Sequence, residues 1–167
     1  MNSEIHYYLS HEYDGDLSNF DCGFPVFNEY LQHKFLNDGA AIHYVINSDY
    51  DSLVAYFSLL ATSIFLEEID ETIDSNMIPA IELKMIALDK EHRKSNLSER
   101  LLADVYDLVV EYLNYVGAKA LILYSVPIEK VVQIYERHGF SKMPDSFTMY
   151  KSEFNQGCVP MYQMLVD

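Results

Sequence analysis

Two nearly unbroken apolar runs, "IPAIELKMIALD" at 78–89 and "AKALILYSV" at 118–126, bracket one amphipathic stretch, and this arrangement narrows the folds open to the chain. A strand that is apolar at almost every position needs cover on both faces, which is the situation of a central strand in a helix-flanked sheet. Between the runs, Leu97, Leu101, Val105, Leu108, Tyr112 and Val116 recur at helical spacing, with Gly117 as the stop. Strand, helix and strand of this kind predict a right-handed parallel crossover.

The rest of the chain supplies partners for that unit. "EIHYYLS" reads as a first strand, followed by the polar turn material "HEYDGDLSN". A helix is predicted over 25–36, where Phe27, Tyr30, Leu31 and Phe35 share a face and Gly39 closes the segment. "AIHYVIN" and "LVAYFSLLATSIF" read as strands joined by the turn "SDYDS". A second long helix, "IEKVVQIYERH", is expected to end at Gly139, followed by a short strand around "FSKM", a polar loop and a last strand "PMYQMLV". The order β-α-β-β-β-α-β-α-β-β describes a mixed central sheet flanked by helices, class α/β or α+β. With 167 residues, half of them apolar, and no repeat or low-complexity linker, the expectation is one domain over 1–167.

Charge bears on partners. The chain has 26 acidic and 11 basic side chains, a formal net charge of −15. Such a field repels polyanions, so nucleic acid is an unfavoured partner, and a cationic amine is the easier substrate to attract. Five acids fall between Glu67 and Asp74; they read either as a solvated loop or surface helix or as a rim that draws in an amine. Cys22 and Cys158 form no C-x-x-C pair and read as free thiols of a reducing compartment, with one disulfide as the alternative. The start lacks the basic-then-apolar pattern of a signal peptide, and "LVAYFSLLATSIFL" is too short to span a bilayer, so a soluble cytoplasmic location is expected. The six histidines show no metal-ligand spacing, and no metal site is expected.

Against this acidic background, Lys90, Arg93, Lys94 and Arg100 cluster in "DKEHRKSNLSER". Asn96 followed by Glu99 has the capping-box pattern, which predicts a helix starting at Leu97. Unpartnered amides and the positive end of the dipole make such a start an anion site, and Arg93 and Lys94 add full charges beside it. The bland alternative is that these side chains only solvate a loop.

Three motifs then carry a resemblance. The strand ending "IALD", the loop "R-K-S-N-L-S" and the helix after it look like the acetyl-CoA site of the GCN5-related N-acetyltransferases (GNAT), whose loop reads Q/R-x-x-G-x-G/A; Arg93, Asn96 and Ser98 fall on the specified positions. "IYERHGF" is similar to L/F-Y-x-x-x-G-F, and "FDCGFPVFNEYL" to F-x-C-G-x-x-x-L-[DN]-x-[FY]-L, an opening found in the GNAT branch that holds acetyltransferase toxins of toxin–antitoxin pairs. The chain departs from the pattern at Asn96 and Ser98, where both loop glycines are replaced, and at Ile128, where many relatives carry Asn.

The resemblance implies an N-acetyltransferase that uses acetyl-CoA as co-substrate and moves the acetyl group to a primary amine of a small molecule or protein by direct attack. It implies that Ile86, Ala87 and Leu88 pair their backbone with the pantetheine arm, and that Arg93, Lys94, Ser95, Asn96, Leu97 and Ser98 hold the diphosphate. Tyr135 would be the general acid on the departing sulfur; on residues alone it reads as a core tyrosine, one of 14. Glu82 is the candidate base, with a pairing to Lys84 as its alternative, since alternation puts both on one strand face. Two further readings are a toxin-like enzyme acetylating aminoacyl-tRNA with an antitoxin partner, and a GNAT-shaped binding module whose loop no longer serves catalysis. A homodimer is a further assembly the resemblance allows.

Overall fold

The computed structural model describes residues 4–34, 38–66, 77–93, 96–144, 147–148 and 157–165. Its elements run β1 (Tyr7–Ser10), α1 (Pro25–Glu29), β2 (Ala41–Asn47), β3 (Leu53–Leu66), β4 (Met77–Leu88), α2 (Leu97–Tyr112), β5 (Ala120–Ser125), α3 (Glu129–Arg137), β6 (Ser141–Lys142), β7 (Phe147–Thr148) and β8 (Val159–Met164). The strand order is β1-β2-β3-β4-β5-β8-β6, with β7 on β3. This is the mixed, helix-flanked sheet expected from the apolar runs, with the two-residue β7 added. The acidic segment from Glu67 to Asp74 lies outside the described residues. Among the described residues, no helix is long and apolar enough to cross a membrane.

The chain forms two compact units: Met1–Leu60 with Leu83–Leu101, and Ala61–Glu82 with Leu102–Asp167. In the first, β1 and β2 pair antiparallel from Tyr7 opposite Asn47 to Ser10 opposite Tyr44, and β2 continues antiparallel to β3 with a register shift at Val45/Ile46. Helix α1 starts with Pro25, whose missing N–H costs nothing at a first helical position, and runs on into a π turn at Tyr30–Lys34. One face of this unit closes over Phe20, Cys22, Tyr30, Leu31, Ile42, Tyr44, Ile46, Tyr56, Met85 and Ala87. The Tyr56 hydroxyl donates to the Phe27 carbonyl at 2.6 Å, which satisfies a polar atom that burial would otherwise penalise.

In the second unit the Lys119 amide donates to the Pro79 carbonyl at 2.8 Å, so the beginning of β5 lies beside the beginning of β4, as in a parallel pair. On its other side β5 pairs antiparallel with β8, from Ala120 opposite Met164 to Ser125 opposite Val159. Ile64, Ala80, Ala120 and Ile122 form the core here. Helix α2 stops at Tyr112, one turn short of the expected Val116. The Asn114 side chain bonds back to the Glu111 carbonyl at 3.0 Å, a local alternative to helical continuation, and Val116 is exposed. Helix α3 ends as expected, with Gly139 at φ +92°. A Cβ there would stand 2.6 Å from the Gln163 Nε2, so backbone geometry and crowding both favour glycine. Cys22 and Cys158 are free thiols.

Candidate active site

The loop between β4 and α2 is built by carboxylates. Asp89 follows β4, and its Oδ1 accepts from the Glu91 amide at 3.0 Å, fixing the single 3-10 turn Lys90–His92. Its Oδ2 accepts from the Asp21 amide at 3.1 Å, and the Asp21 carbonyl accepts from the Lys90 amide at 2.9 Å. The Asp21 side chain completes the junction: Oδ2 takes the Lys90 ammonium at 2.6 Å, while Oδ1 takes the Gly23 amide at 2.8 Å and the Asn28 Nδ2 at 3.1 Å. The Lys90 hydrogen bond is the main reason the Asp21 carboxyl is held down at about 2.

The cluster of positive charge therefore divides. Lys90 is neutralised by Asp21. Arg100 donates to the Ile5 carbonyl at 3.0 Å, reaches Glu4 at 3.8 Å and lies over the Tyr7 ring at 5.1 Å, so it ties the amino-terminal segment to α2. Arg93 is exposed, with its guanidinium over the Phe24 ring at 5.8 Å and against Gly23, and no carboxylate among the described residues pairs with it. Lys94 and Ser95 lie outside the described residues. Helix α2 begins at Leu97 as expected, and the Asn96 carbonyl accepts the Arg100 amide at 3.1 Å as its first bond. Leu97 is fully buried, so its side chain is a core group, while Asn96 is exposed and Ser98 half-buried.

On β4, Met85 and Ala87 belong to the first core, and Lys84, Ile86 and Leu88 are half-buried. Lys84 pairs with Asp38 at 3.1 Å, and the Tyr30 hydroxyl donates to the same carboxylate at 2.6 Å. Burial works to raise the Asp38 carboxyl, but Tyr30, the Ala40 amide and Lys84 outweigh it and hold the group low. The Asp38 pairing answers the sequence question about Lys84; it is not visible in strand alternation.

The second unit carries Tyr135 and Glu82. Tyr135 lies in the last turn of α3, half-buried, with its ring edge-on to Phe140 at 5.9 Å. Its carbonyl accepts the Phe140 amide at 3.1 Å, so the Y-x-x-x-G-F spacing is a helix end folding back on itself through Gly139. Burial pushes the Tyr135 phenol up to about 12, which keeps it protonated across the neutral range. Glu82 is buried on β4, and its charge adds to burial in raising the phenol of Tyr124 on β5. Among the described residues no group of three His, Cys, Asp or Glu side chains gathers as a metal site would require.

Neither a protein-family model nor a curated protein matches the sequence. Solved structures do match. A bacterial toxin superposes with TM-score 0.77 at 19% identity, covering 97% of this chain and 92% of the other. AtaTR bound with AcCoA gives 0.73 at 17% identity over 95% and 94% of the two chains. AtaT complexed with acetyl-methionyl-tRNAfMet gives 0.69 at 18% identity over 90% and 96%. The chain has the GNAT fold. Within the GNAT fold the three motifs that carried the resemblance now have local structures: the loop before α2, the end of α3, and the 20–31 opening folded against 89–93. Asp21 and Phe24 were not singled out as individual residues by the sequence, and the only trace of their role is that they stand inside the "FDCGF" opening.

Proposed function

We propose that the chain is an acetyl-CoA-dependent N-acetyltransferase acting on a primary amine. The observation that carries this reading is the fate of the basic cluster. Lys90 and Arg100 are engaged within the first unit, whereas Arg93, which precedes a sixteen-residue helix in the chain, is exposed and has no carboxylate on it among the described residues. A guanidinium beside a helix start suits the diphosphate of coenzyme A. In this reading Arg93, Lys94, Ser95, Asn96 and Ser98, with the amide of Leu97, bind the diphosphate, and the backbone of Ile86, Ala87 and Leu88 pairs with the pantetheine arm.

The chemistry asked of the protein is small. Holding thioester and amine together supplies most of the acceleration, and a strand N–H at 86–88 stabilises charge on the thioester oxygen. Glu82 takes the proton from the amine, and Tyr135 gives its phenolic proton to the departing sulfur, so the proton account closes over one turnover when water or the product exchanges protons with both groups. A net charge of −15 favours a cationic amine of a small molecule or protein as acceptor. Aminoacyl-tRNA with an antitoxin partner is the second reading, favoured by the neighbour complexed with acetyl-methionyl-tRNAfMet and opposed by that charge.

The test is incubation with acetyl-CoA and separate acceptors (polyamines, a lysine-bearing protein, aminoacyl-tRNA), following free thiol, alongside calorimetry with acetyl-CoA. Micromolar binding and thiol release with an amine are expected. Absence of heat and thermal shift at saturating ligand leaves the fold as a binding module and overturns the enzyme assignment.

A further inference from the structure

We infer that the stretch 20–24 is a positioning device in which Asp21 and Phe24 set the place of Arg93 and thereby the affinity for the diphosphate of an acyl-CoA. The inference rests on the acetyltransferase reading and adds to it two residues that touch no reacting atom.

The argument begins with a deficiency. Asn96 and Ser98 occupy the places of two loop glycines, so the backbone here is less free to wrap around phosphate on its own. A loop with fewer conformations to offer needs its charge delivered to the right place by something else. The stretch 20–24 holds the described part of the loop, 89–93, at two places. At its beginning, Asp21 bonds to Asp89 and Lys90 through its amide, its carbonyl and its carboxylate, at 3.1, 2.9 and 2.6 Å. At its far end, the guanidinium of Arg93 lies over the Phe24 ring, and Gly23 at φ +85° leaves 3.3 Å between a would-be Cβ and an Arg93 terminal nitrogen. Asp21 itself holds the step between the two grips, because its Oδ1 accepts the Gly23 amide.

Phe24 is half-exposed, at 49%. An aromatic ring held at the surface under a guanidinium limits where that guanidinium can go without competing for its hydrogen-bond donors, since a cation–π contact uses the face of the ring and leaves the N–H groups pointing outward. A carboxylate in the same place would have consumed them, as Asp21 consumes Lys90.

The test measures coenzyme A affinity by calorimetry and the KM for S-acetylpantetheine, a thioester lacking the diphosphate, in the wild-type chain and in variants. Phe24→Leu should weaken coenzyme A by about two- to fivefold. Asp21→Ala also frees Lys90, whose released charge would tighten an anion, so it is combined with Lys90→Met; this pair should weaken coenzyme A by roughly tenfold. Neither change should move the S-acetylpantetheine KM, and the Phe24→Leu effect should vanish in an Arg93→Ala background. Wild-type affinity in both variants, with Arg93→Ala still weakened, overturns the positioning role and leaves the acetyltransferase reading standing. Unaltered affinity in Arg93→Ala, or no binding by the wild type, overturns both. If the Asp21 variant fails to fold, the half-exposed Phe24 position decides alone.

Discussion

Replacing Tyr135 by Phe removes one oxygen and keeps the ring against Phe140, so it separates the phenol from the packing. The phenol has an ordinary value of 10.0 and is raised to about 12 by burial. A group whose folded value is raised binds its proton more tightly in the folded chain. The stability this brings is therefore whole below pH 10 and is lost as pH climbs through 12. Two units at about 1.4 kcal/mol each amount to roughly 3 kcal/mol lost across that window. Tyr135→Phe lacks this loss, while Tyr44, Tyr56, Tyr112 and Tyr124, all raised by burial, are common to both proteins. Urea unfolding at pH 9.5 and 11.5 should therefore show a smaller fall in stability for the variant than for the wild type. In the neutral range the same phenol is fully protonated, as a donor to a thiolate must be. Its removal should lower kcat by about 10²- to 10⁴-fold, or roughly 3–5 kcal/mol of barrier, with acetyl-CoA affinity unchanged. Parallel alkaline losses in the two proteins would refute the desolvation argument. Equal losses of kcat and of affinity would make the ring a packing element and remove Tyr135 from the chemistry.

Other changes test the surrounding framework. Ile128 is the N-cap of α3, exposed and without a side-chain cap bond; Ile128→Asn should stabilise the protein by about 1 kcal/mol, a rise of ~2–4 °C in a melting scan. Gly139→Ala places a side chain at φ +92° and forces Gln163 aside, and should cost about 1–3 kcal/mol in urea unfolding; a neutral result would mean the α3 exit relaxes freely. The Asp21 carboxyl is depressed, so its contribution is present above pH 3.8 and disappears as pH falls through about 2; an NMR titration should find the midpoint near the lower value, and Lys90→Met should return it toward the upper one.

What the sequence disclosed follows the range of the forces involved. Strand β2 matches its expected bounds and α2 starts at the expected Leu97, because period and capping act over a few residues. The end of α2 was overrun because the apolar stripe continues to Val116 while the backbone turns away at Asn114. The expected helix from Pro25 is α-helical only to Glu29 and continues as a π turn, a difference of one hydrogen-bond step that side-chain spacing does not encode. Strand alternation suggests Glu82 as a partner for Lys84, but Lys84 pairs with Asp38, which no periodicity could have named. The role of Asp21 was hidden for the same reason, since its bonds to Asp89 and Lys90 span 68 and 69 residues.

That separation has a consequence for biosynthesis. At about 5–20 residues per second, a ribosome adds Lys90 several seconds after Asp21. Asp21 and Phe24 thus leave the exit tunnel before the turn after β4 and Arg93, the groups they later hold. Strands β1, β2 and β3 are therefore synthesised before Asp21 can lock the turn after β4, and β5, α3 and β8 follow only after that turn is made.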